Sequence, residues 1–160
     1  MITANKYHKW APLFIRIVTG FGFMAHGWAK ISRATGGFEK LLSQSGVPFP
    51  HLGAIIAPYV EFFGGLAVLL GAFVVIAALP LIITMLVAMF WVQSDYGFSS
   101  VNTIGLNSLG PKFGPPGYEI NLLYIGSLLS LMFSGAGKCS VDALRRDIHQ
   151  KRIEVVRSRS

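Results

Sequence analysis

From Gly53 to Val92 the chain is almost continuously apolar, with Glu61 as its one charged residue. A helix rises about 1.5 Å per residue and crosses the hydrocarbon core of a bilayer in about 20 residues, so this run is about twice as long as one span needs. It must fold back on itself. Gly71 is the best turn point, which predicts one span over 52–70 and another over 72–92, with Pro80 as a kink in the latter.

Two more segments have the length and character of spans. Residues 11–28, APLFIRIVTGFGFMAHGW, are bracketed by Trp10 and Trp28, as expected where amphipathic rings sit at headgroup level. A fourth span is predicted over 118–136, with the chain leaving the membrane at Gly135, Gly137 and Lys138. Residues 29–52 and 93–118 are dense in glycine and proline and read as loops. Inside the first loop, Phe38, Leu41 and Leu42 have the spacing of a short amphipathic helix lying on the membrane surface. Lys6 and Lys9 resemble the basic start of a signal peptide, but the segment after them holds Arg16 and no small-residue cleavage site, so it reads as a retained span. Composition agrees: 13% of residues are charged, against about 25% in soluble domains. The predicted fold class is all-α, an integral membrane four-helix bundle over 1–142 followed by a basic cytoplasmic tail over 143–160.

The formal charge is +7, yet its placement argues against nucleic acid as a partner. Arg145, Arg146, Lys151, Arg152, Arg157 and Arg159 all follow the last apolar run, where a tail meets anionic membrane lipids. With Lys6, Lys9 and Lys138 they put nine basic residues on the terminal side, against Lys30, Arg33, Lys40 and Lys112 in the two loops. The positive-inside rule then places both termini in the cytoplasm and the loops outside. No repeat of transporter type is visible. Cys139 is the only cysteine, so one copy holds no disulfide and no CxxC pair. It reads as an inert thiol, with a reactive thiol or a palmitoylation site as alternatives. Without a Gly-rich phosphate loop, a His pair at i, i+4 or a Cys/His ligand set, neither a metal site nor a covalently bound cofactor is expected.

A charge at membrane depth costs about 2.5 to 3.5 kcal/mol on insertion scales, so each asks for a partner or a purpose. Arg16, His26 and Lys30 lie on the first span, Glu61 on the second, and Glu119 and Asn121 at the start of the fourth. Helical steps put Arg16, Gly20, Phe23, Gly27 and Lys30 on one stripe, and Glu61, Gly64 or Gly65, Val68 and Gly71 on another. These two faces are expected to pack through their small residues. The topology places His26, Lys30, Glu61 and Glu119 in the outer half, as a cluster fit to bind or protonate a small polar headgroup. Three readings stay open: pairs that only fix helix register, a ligand or proton-handling site, and a contact for a partner subunit. Lys30 and Arg16 are long enough to snorkel to the headgroups instead.

The stretches RIVTGFGFMAHGWAKI, APYVEFFGGLAVLLG and GYEINLLYIGSLLSLMFSGAGKCSVD, in this order and spacing, resemble the DoxX family of small bacterial membrane proteins. The resemblance runs from about Pro12 to Asp142. It implies a multi-pass four-helix bundle of the bacterial inner membrane, with polar family positions at Arg16, His26, Gly27, Lys30, Glu61, Gly64, Gly65, Glu119 and Asp142. Some relatives are associated with thiosulfate:quinone oxidoreductase or other membrane redox complexes. That association implies a subunit or accessory of a quinone-linked redox system, with quinone as its cofactor and a redox partner subunit or further copies of itself as partners. A non-catalytic scaffold or assembly protein and a small transporter component are the alternatives, and the reaction is left unassigned. One departure is visible: relatives often carry a basic residue after the turn between spans two and three, where this chain has Ala72 and Phe73.

Overall fold

The computed structural model describes residues 8–33 and 35–157, which form six α-helices and one antiparallel hairpin. Lys6 and Arg159, two of the basic residues at the termini, lie outside them. The long apolar run folds back where its composition requires. Helix α3 (Pro50–Leu70) starts with proline in its first turn and ends at Gly71, whose φ of +66° is left-handed. Its last carbonyls are closed by Gly71 N–H on Val68 O at 3.0 Å and Ala72 N–H on Ala67 O at 2.9 Å. Helix α4 (Val74–Val87) then runs into a π turn, Ala88–Val92, where Gln93 N–H bonds Ala88 O five residues back at 2.9 Å. Among the described residues these two, Pro50–Leu70 and Val74–Val92, are the helices long and apolar enough to cross a membrane by length and composition alone.

Helix α1 (Ala11–Ile31) is as long as α3 but is broken up by Arg16, His26 and Lys30, and α5 (Glu119–Ser134) is apolar but shorter. These four helices contact one another in a ring, α1 on α3, α3 on α4, α4 on α5 and α5 on α1. The closest contact is α1 on α3. A methyl added at Gly20 would lie 2.7 Å from Gly65 O, and one at Gly27 would lie 2.5 Å from Phe62 N, so the backbones touch where side chains are missing. Gly64 faces α4 instead, against Leu81 at 3.0 Å. Phe23, Val68, Ala78, Leu81, Leu128 and Leu131 fill the centre. The perimeter is apolar as well, with Phe14, Val18, Phe21, Phe63, Ile76 and Phe133 all exposed.

Helix α2 (Thr35–Gln44) is the amphipathic helix expected in the first loop. It packs on α3 through Leu42, with Val47 and Ala54 completing a small second core. Two features depart from the sequence reading. The second loop holds a hairpin, β1 (Thr103–Asn107) with β2 (Gly110–Phe113), in which Leu106 stands opposite Pro111 and Asn107 opposite Gly110. The expected tail is a helix, α6 (Val141–Arg157), which buries none of its residues.

Candidate functional site

The approach at Gly27 sets the geometry of the polar groups. One turn beyond it, Lys30 reaches across from the last turn of α1 to the middle of α3. Its Nζ lies 2.6 Å from Glu61 Oε1 and 2.5 Å from Oε2. The Glu61 side chain is 3% exposed and that of Lys30 27%, so the ammonium is drawn inward and does not snorkel outward. Lys30 Nζ also lies 5.0 Å from the centre of the Phe38 ring, which brings α2 over the pair.

The pair forms part of the wall of a cavity of about 560 Å³ between α1, α2, α3, α4, the π turn and α5. Most of the wall is apolar: Phe23, Leu42, Ile56, Val60, Pro80, Ile83 and Val87 contribute. The polar members are His26, Lys30, Glu61, Thr84, Gln93, Asn121 and Tyr124. Two of these are turned to the protein itself. Asn121 Nδ2 donates to Met85 O at 3.3 Å, just before α4 widens into its π turn, and Thr84 Oγ1 donates to Leu81 O at 2.8 Å. The Tyr124 ring is fixed by Phe23 at 4.8 Å and by an edge-on His26 ring at 6.2 Å. Its hydroxyl end lies over Gly22, the space a methyl there would need. Tyr124 is absent from the sequence reading, although its place three residues after Asn121 puts both on one face of α5.

One expected member of the cluster is elsewhere, and Arg16 lies apart from it. Glu119, at the first turn of α5, accepts a hydrogen bond from Ser100 N–H at 3.0 Å, while its own N–H donates to Phe98 O at 2.9 Å. It fastens the second loop and does not line the cavity. Arg16 is fully buried at the opposite end of the ring, so the snorkelling open to it on length alone does not occur. Its Nη2 donates to Lys138 O at 3.1 Å and Cys139 O at 3.0 Å, and its guanidinium fills the space over Gly71 that any side chain would take. Asp142 completes this knot. Its carboxylate accepts from Phe73 N–H at 2.9 Å and Val74 N–H at 3.3 Å, capping α4, and its own N–H donates to Gly71 O at 3.0 Å. Lys138 N–H on Lys9 O at 2.9 Å draws in the start of α1. Cys139, with φ +54°, is exposed at the edge of the knot.

A family model, DoxX, matches residues 11–94. An uncharacterized protein of Haemophilus influenzae (strain ATCC 51907 / DSM 11121 / KW20 / Rd) is 31% identical over 148 residues, 89% of this chain and 96% of that protein. No solved structure matches the chain. With the family model spanning more than half of its length, the chain belongs to the DoxX family, whose members are membrane-associated.

Proposed function

We propose that this chain is a four-span inner-membrane protein with both ends in the cytoplasm, whose cavity at the Lys30 end binds a quinone headgroup on behalf of a membrane redox system. The spans are α1, α3, α4 with its π turn, and α5. An apolar perimeter around an apolar core supports lipid as the surrounding solvent. The observation that carries the ligand is the Lys30–Glu61 ion pair set in the wall of a cavity that is otherwise mostly apolar.

A quinone presents carbonyl acceptors on a flat ring attached to an apolar chain. Apolar walls suit the ring and chain, while Lys30, His26 and Tyr124 offer donors to the carbonyls. When bound, a quinone supplies two-electron, two-proton redox chemistry. Glu61 is the carboxylate set beside those donors, paired with the Lys30 ammonium for which a bound carbonyl would compete. Electrons would reach the site from a partner subunit, with a reduced sulfur compound as their source in the reading that the family's associations favour.

A second reading rests on the pair being satisfied as it stands, both carboxylate oxygens lying within 2.6 Å of one ammonium. In this reading the pair only fixes the register of α1 on α3, and the protein is a scaffold. Titration of purified protein in mild detergent with a short-chain ubiquinone, followed by native mass spectrometry, separates the two. Saturable retention of quinone, weakened about tenfold or more in Glu61→Gln and Lys30→Met, supports the redox reading, since charge-assisted hydrogen bonds are worth about 1.5 to 3 kcal/mol. No retention by the parent chain, or equal retention by the parent and both variants with only a lower melting temperature, supports the scaffold.

A further inference from the structure

Among the described residues, helix α6 sets an exposed apolar row and a basic row side by side. Steps of three and four place Val141, Leu144 and Ile148 in one row, and all three are exposed. Arg145, His149 and Arg152 form the adjacent row and, with Arg146 and Ile148, line a shallow cleft. Five basic residues stand against three acidic ones in this helix, and one of the acids, Asp142, is engaged in capping α4.

The place where α6 begins is fixed by the Arg16 knot. Asp142 bonds both to the residue that ends α3 and to the first turn of α4, while Lys138 bonds to the residue before Trp10, ahead of α1. Ser134, the last residue of α5, lies seven residues before Val141. The helix therefore leaves from the plane in which the four ring helices have their ends. Interfacial side chains mark the same plane: Lys138 Nζ lies 5.4 Å from the Trp10 ring, and the Arg145 guanidinium 4.4 Å from the exposed Phe73 ring.

We propose that α6 is an interfacial anchor that lays the Val141–Leu144–Ile148 row into an anionic phospholipid leaflet, with the Arg145–His149–Arg152 row holding lipid phosphates. A stripe of apolar side chains bordered by arginines is what such a surface needs, because the apolar row enters the acyl boundary while the cations meet the phosphates. The proposal rests on the membrane placement of the four ring helices and is independent of what the cavity binds. Incorporation into lipid nanodiscs checks that placement separately.

The test is hydrogen exchange of the full chain in nanodiscs, which leave both faces of the bilayer open. Discs of phosphatidylcholine alone are compared with discs containing phosphatidylglycerol. The expected result is exchange across residues 144–157 slowed about tenfold or more by the anionic lipid, with the slowing removed by Arg145→Gln with Arg152→Gln or by about 0.5 M salt. Ile148→Asn is expected to remove it too. Unchanged exchange in α3 and α4 shows that each variant remains folded. Equal exchange in the two kinds of disc overturns the proposal. So does protection that rises with protein concentration regardless of lipid, which would identify a second copy as the occupant of this face.

Discussion

At Lys30 and Glu61 the two partners are unequally buried, the carboxylate almost wholly and the ammonium only in part. Removing the lysine leaves a carboxylate without its counter-charge, whereas removing both charges leaves neither stranded. Lys30→Met is therefore expected to cost about 3 kcal/mol in detergent unfolding, and the Lys30→Met, Glu61→Gln double variant clearly less, a sign that a double-mutant cycle reads directly. These two residues are legible in the sequence because a charge inside an apolar run requires a partner. Glu119 carries the same kind of signal and goes elsewhere. It opens its helix, so a nearby loop N–H, that of Ser100, reaches it before the cavity does. Tyr124 carries no such signal, since a phenol among leucines looks like packing until the facing helix is known to offer Gly22.

Among elements, the helices follow from apolar length and from where glycine can take a left-handed turn, and both are visible in the chain. The contact of α1 on α3 follows from glycine spacing. Gly27→Ala is expected to force the helices apart and cost about 1 to 3 kcal/mol, as overpacking does, because the atoms in its way are the backbone of α3. Gly126→Ala, with nothing within 4 Å of the added methyl, is expected to leave the melting temperature unchanged or slightly higher. Asp142→Ala removes the cap of α4 and is expected to cost about 1 kcal/mol. The hairpin and α6 escape a reading based on apolar runs. Glycine and proline density marks the end of a helix without specifying the strand pairing that replaces it, and α6 is too polar to be noticed by its hydrophobicity.

For the whole molecule, the proposed orientation has a direct check in the single cysteine. Cys139 is exposed beside the knot, at the end assigned to the cytoplasm. A membrane-impermeant maleimide is expected to leave it unlabelled in intact cells and to label it once the membrane is opened. Leu109→Cys at the hairpin, made in a Cys139→Ser background, is expected to label in intact cells, and the reverse pattern would invert the topology. The knot has one more consequence. Arg16, Gly71, Lys138 and Asp142 lace shut one end of the ring, while the cavity lies wholly at the other. Under the function proposed above, a quinone entering beside Lys30 would therefore also leave on that side, because the knot occupies the opposite end of the ring.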